Sequence, residues 1–166
     1  MSQTSQHEQV HFDQTTGEPY LRLPAPLEDY IITPTRVDDA PALVGILNGP
    51  DVAKWLAAIP KPYTLADGEW WVNFTREAEA KWLAQLKESD PSSDGVFGGC
   101  PLKCIRHVKG DGTQVLVGTV GVGRCGFSYM GDAQRAKELA EENERRSLGD
   151  PEIVWAMGGK VPTYRT

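Results

Sequence analysis

The sequence predicts a mixed α+β domain on a mostly antiparallel sheet, and three observations carry that expectation. Short runs rich in β-branched and aromatic residues alternate with longer stretches of helical periodicity. An Asp111-Gly112 pair joins two of the short runs as a hairpin. A chain of 166 residues is long enough to bury one core of ordinary size.

Residues 1–19 are rich in Gln, Thr, Ser and His, hold almost nothing apolar, and are expected to be a disordered tail. Leu21 and Leu23 then alternate with Arg22, while Pro24 and Pro26 forbid a central strand there. Tyr30-Ile31-Ile32 is the first firm strand candidate, closed by Thr33-Pro34. A helix follows from Asp38 or Asp39, either of which can cap its free amides, with Pro41 tolerated in the first turn. Ala40, Leu43, Val44 and Leu47 give it one buried face, and Asn48-Gly49-Pro50 ends it. Asp51 to Ala57 is expected to be a short helix presenting Val52, Trp55 and Leu56.

The long helix starts at Thr64, whose hydroxyl and the Asp67 carboxylate are spaced for reciprocal capping. Trp71, Phe74, Ala78, Trp82 and Leu86 step by three or four and predict its core face. The carboxylates of this helix, Asp67, Glu69, Glu77, Glu79 and Glu88, mostly fall on the opposite, solvated face. Residues 89–101 form a loop by composition. Lys103 to Val108 and Val115 to Gly123 are the arms of the hairpin, and Gly131 to Ser147 is an exposed helix laced with surface ion pairs. Only Ala133, Ala136, Leu139 and Ala140 can turn inward from that helix. Glu152 to Met157 is the last strand, and its hydrophobic edge is a liability unless something pairs with it.

Composition excludes several functions. A formal net charge of −6, with basic residues scattered, disfavours nucleic acid as a partner. No apolar run is long enough to span a membrane and no secretory signal opens the chain, so the expectation is a soluble protein, cytoplasmic or nuclear by its cysteine usage. Three cysteines, Cys100, Cys104 and Cys125, read as reduced thiols rather than a disulfide framework. Gly121-Val-Gly123-Arg-Cys-Gly126 matches a dinucleotide fingerprint, but no helix opens at its third glycine, so the Rossmann reading is rejected. Cys100, Cys104 and His107 do not make a zinc site, because Cys104 and His107 fall on opposite faces of one strand and structural zinc needs four ligands. No metal is expected, and no nucleophile triad is present. Glu152, at the mouth of the last strand, is the one carboxylate placed where a general base could act.

Read in order, Tyr30-Ile-Ile-Thr-Pro-Thr-Arg36 with the helix to Asn48 resembles the opening of GNAT-type N-acetyltransferases. The segment Asn48-Gly-Pro50-Asp-Val52-Ala-Lys-Trp55-Leu is similar to the branch that includes the ribosomal-protein N-acetyltransferases. Pro62-Tyr63-Thr64 through Trp71, Val117-Gly118-Thr119-Val120-Gly121 and Glu152-Ile-Val-Trp-Ala-Met-Gly158 match the family's following pieces. The resemblance covers residues 20–158 as a partial acetyltransferase domain, with 159–166 as a tail outside it. It implies acetyl-CoA as co-substrate, a primary amine on a peptide or small molecule as acceptor, and main-chain groups at Ala156, Met157 and Gly158 as the holders of the pantetheine arm. The family's Arg/Gln-x-x-Gly-x-Gly/Ala pyrophosphate loop has no counterpart after Gly158, which implies impaired activity in this form. The alternatives are an inactive product and a binding module or homodimer built through the exposed terminal strand.

Overall fold

The computed structural model describes residues 10–56, 59–88 and 99–160. It is an α+β structure in which one six-stranded sheet runs in the order β1 to β6, every neighbour antiparallel. The strands are β1 (Val10–Phe12), β2 (Pro19–Arg22), β3 (Tyr30–Thr33), β4 (Cys104–Val108), β5 (Gln114–Arg124) and β6 (Trp155–Lys160). A 3-10 turn (Val37–Asp39) leads into α1 (Ala40–Asn48), α2 (Pro50–Ala53) and α3 (Leu65–Glu88) between β3 and β4, while α4 (Ala133–Arg145) lies between β5 and β6. The core joins α1 and α3 to one face of the sheet through Leu43, Ile46, Leu47, Val72, Cys104 and Leu116.

The expected tail at 1–19 is corrected from Val10 onward. Val10–Phe12 pairs with Pro19–Leu21. The Asp13 carboxylate accepts from the amides of Thr15 and Thr16, and Gly17 takes φ 68°, so the polar run is a hairpin turn rather than a disordered segment. Glu18, at its end, is ion-paired with Arg36. Residues 1–9 lie outside the described residues, as do Ala57, most of the 89–101 loop and residues 161–166.

The α1 face is close to expectation, with Ile46 more deeply buried than Val44. The long helix is capped as its sequence predicts: Thr64 N–H donates to Asp67 Oδ2 at 2.8 Å, and Asp67 N–H donates back to Thr64 Oγ1 at 3.3 Å. Its core face, however, is turned by one residue from the expected stripe. Gly68, Val72, Thr75 and Glu79 are buried; Trp71 and Trp82 flank them, and Phe74 is exposed. Gly68 lies on that buried face at a close approach to the start of α1, where an added Cβ would sit 3.1 Å from the Ala40 carbonyl oxygen and push its neighbour back by a few tenths of an ångström. The tryptophans border the core instead of filling it.

The last strand is also shifted, to Trp155–Lys160 from the expected Glu152–Met157. Asn143 of α4 is the cause. Its side-chain amide donates to the carbonyls of Val154 (2.8 Å) and Cys125 (3.3 Å), and its oxygen accepts from Val154 N–H at 2.9 Å. The side chain replaces the next ladder contact, so residues 150–153 turn instead of pairing, and Gly159 and Lys160 extend the strand. Asn143 thus joins Ala136 as a buried residue of α4, with Leu139 and Ala140 half-buried on the same face, while Ala133, expected to turn inward, is exposed.

Candidate functional site

Glycines at Gly121 and Gly123 strip one face of β5 of side chains, and Gly158 does the same opposite Gly121 on β6. That face is the one covered by the helices, since Thr119 of the same parity is buried beside Trp71 and Leu43. The result is a groove of about 460 Å³ with a main-chain floor at Gly121, Gly123 and Gly158, and with Trp71, Leu56 and Lys103 along its walls. A Cβ added at Gly121, Gly123 or Gly158 would meet nothing within 4 Å, and none of these glycines has a positive φ. Their lack of side chains is therefore not a demand of the fold. Glycine in a strand interior commonly marks a close approach by a ligand or another backbone. The glycine spacing that fails as a dinucleotide fingerprint was the sequence signal for this groove.

Among the described residues β6 is the last strand of the sheet, and its outer edge has a definite polarity. Val120 N–H donates to Lys103 C=O at 2.8 Å, and Cys125 N–H donates to Val154 C=O at 2.9 Å. Antiparallel alternation then directs the main-chain groups of Ala156 and Gly158 to β5, and those of Trp155, Met157 and Gly159 to the free edge. Of the three expected pantetheine holders, Gly158 lines the groove, Ala156 sits beside it opposite Gly123, and Met157 offers free main-chain groups.

Glu152 is placed elsewhere. It lies on the turn before β6, its side chain 72% exposed and ion-paired with Arg146, and it does not line the groove. The rejected fingerprint is set out in the structure as reasoned: Gly121 and Gly123 lie within β5, and α4 begins only at Ala133. Cys104 points to Thr35 and Asp39, whereas His107 stacks on Tyr30.

A second, smaller concavity of about 170 Å³ adjoins the groove, sharing Trp71 and Thr119 and lined otherwise by apolar residues of α1, α3 and the Ile59-Pro60 turn, with Asp67 at its side. Hydrogen bonds from the Thr64 side chain and main chain hold the Asp67 carboxyl below its ordinary value.

Below the helices lies a buried polar network that sequence reading missed. Arg106 Nη2 meets Asp39 Oδ2 at 2.8 Å, with both side chains 3% exposed, and Arg106 Nε donates to Thr33 Oγ1 at 2.8 Å. Asp39 also accepts from Arg36 N–H at 2.7 Å. Glu79, read from sequence as a solvated charge, is 1% exposed and accepts from both the amide and the hydroxyl of Thr35 at 3.0 Å. Burial raises its pKa, against the lowering effect of those two bonds and of Lys103. Burial likewise pushes the Cys104 thiol up to about 12, helped by the nearby Asp39, so this sulfur is an inert core atom. No buried side-chain polar atom among the described residues lacks a partner.

Among the described residues, no group of His, Cys, Asp and Glu could hold a metal ion, and no helix is long and apolar enough to cross a membrane. No family model matches the chain, and no curated protein or solved structure matches it either.

Proposed function

We propose that this chain is an acetyl-CoA-dependent N-acetyltransferase domain that acts on a primary amine. The observation that carries the reading is the side-chain-free groove beside an open strand edge, at the place where the family resemblance puts the acyl-pantetheine arm. A pantetheine arm is a slender chain with two amides, and it needs main-chain partners and room more than it needs side chains. Gly121, Gly123 and Gly158 give the room, and the outward groups of Met157 and Gly159 give the partners. Lys103 supplies a cation at the groove wall, and Trp71 supplies an apolar one.

When bound, acetyl-CoA supplies an activated thioester: the amine nitrogen takes the acetyl carbon, the C–S bond breaks, and the amine's proton ends on the released thiol. The chain's part is to hold the two reactants together, which is where most of the rate gain of such a transfer can come from. With Glu152 ion-paired outside the groove, water carries the proton. The test is thiol release from acetyl-CoA in the presence of a panel of amines and short peptides. Amine-dependent release is the expected result; acetyl-CoA turnover that no amine accelerates would overturn the reading.

A further inference from the structure

Among the described residues no strand pairs with the outer edge of β6, which is self-complementary, and we infer that it pairs with the β6 edge of a second copy of this chain around a two-fold axis at Met157. Three features define the register. The outward main-chain groups belong to alternate residues, Trp155, Met157 and Gly159, with Met157 in the middle. An antiparallel copy centred there sets Met157 against Met157 of the second molecule, and each Trp155 against the second molecule's Gly159, so every facing pair exchanges both of its bonds. The third feature is the side chains. Trp155 is 41% exposed, Met157 79% and the neighbouring Val122 41%, all on the sheet face away from α1 and α3. In this register each indole lies over a glycine, the cross-strand arrangement in which an aromatic ring covers the main chain that glycine leaves bare. A register slipped by two residues brings Trp155 against Met157 and leaves outward groups without partners.

Pairing of this kind joins two six-stranded sheets into one and buries an apolar strip that is otherwise in water. It also occupies the edge that the proposed function assigns to the pantetheine arm. On that reading, acetyl-CoA binding and dimerisation exclude one another, and the dimer is the resting form.

The experiment is sedimentation velocity over a wide concentration series, with three proteins. The wild-type chain is expected to pass from 18.2 kDa to twice that mass as concentration rises. Met157→Pro removes an amide that β5 does not use, so it is expected to stay monomeric at every concentration with an unchanged circular dichroism spectrum. Met157→Cys, in a Cys100→Ser background, is expected to give a cross-linked dimer with a short thiol reagent, whereas Leu148→Cys, also exposed, gives none. A wild-type chain that is monomeric throughout overturns the inference, as does a folded Met157→Pro protein that dimerises like wild type. A dimer that Met157→Cys cannot link overturns the register. Added acetyl-CoA is expected to lower the dimer fraction; binding that leaves the fraction unchanged refutes the exclusion. No acetyl-CoA binding at all removes the acetyltransferase reading, while mass and cross-linking still decide the dimer.

Discussion

Replacing Glu79 by alanine should destabilise the fold far more than replacing any other carboxylate of α3. Glu79 is 1% exposed and accepts two bonds from Thr35 at 3.0 Å, so truncation leaves a buried amide and a buried hydroxyl without their acceptor. Each orphaned group costs about 1–3 kcal/mol, and with some relief from no longer burying a carboxylate the net loss should be roughly 2–4 kcal/mol. Glu79→Gln is the informative partner: its oxygen can still accept from the Thr35 amide, and its NH2 can donate to the Thr35 hydroxyl. Burial raises the folded pKa of Glu79 above the ordinary value of 4.5, so the folded state binds this proton more tightly than the unfolded chain does. The stabilising contribution is then fully present below about pH 4.5 and is lost as pH rises through the raised folded pKa. Urea unfolding of wild type and Glu79→Gln across that range measures it, because other titrations cancel in the difference. Wild type should lose ground to the Gln variant as pH rises. A difference independent of pH, or an alanine variant within about 0.5 kcal/mol of wild type, would refute the reasoning.

Arg106→Met should cost about 3–5 kcal/mol in chemical denaturation, because it leaves Asp39 charged and buried without its cation. The double variant Asp39→Leu/Arg106→Met should recover most of that loss, and full additivity of the two single losses would contradict a direct pair. Asn143→Ala removes the side chain that closes the β5–β6 ladder; about 1–3 kcal/mol should be lost, with hydrogen exchange rising first in residues 154–158. Uniform acceleration of exchange across the sheet would contradict that local role.

Local chemistry was legible in the sequence and tertiary choices were not. The α+β class, the Thr64–Asp67 cap and the Asp111-Gly112 turn are set by residues within a few positions of one another, and they are found as read. The buried face of α3 holds a close helix–helix approach at Gly68 and the bonds to Thr35, 44 residues away from Glu79, and periodicity among tryptophans could not report either. The start of β6 is set by Asn143, a polar residue that continues the inward face of Ala136, Leu139 and Ala140 and that apolar periodicity alone passes over. The hairpin at 10–19 was hidden by its polar composition, although Asp13 and Gly17 are turn residues. Of the candidate site, Gly158 and Met157 were read from the resemblance. The matching glycines of β5 carry the same signal, but their spacing mimics a dinucleotide fingerprint that no helix completes.

Calorimetric titration of acetyl-CoA into the wild-type chain and into Gly121→Leu tests the central claim most directly. The leucine side chain starts in open space at Gly121, where its Cβ meets nothing within 4 Å, so the variant should fold and fill the groove. The proposal predicts saturable binding to wild type, with about 2.7 kcal/mol of added stability at a hundredfold excess over the dissociation constant. It predicts loss of both in Gly121→Leu. Equal binding by the two proteins would move the site away from the β5–β6 groove, and the absence of binding to wild type would contradict the acetyltransferase reading itself.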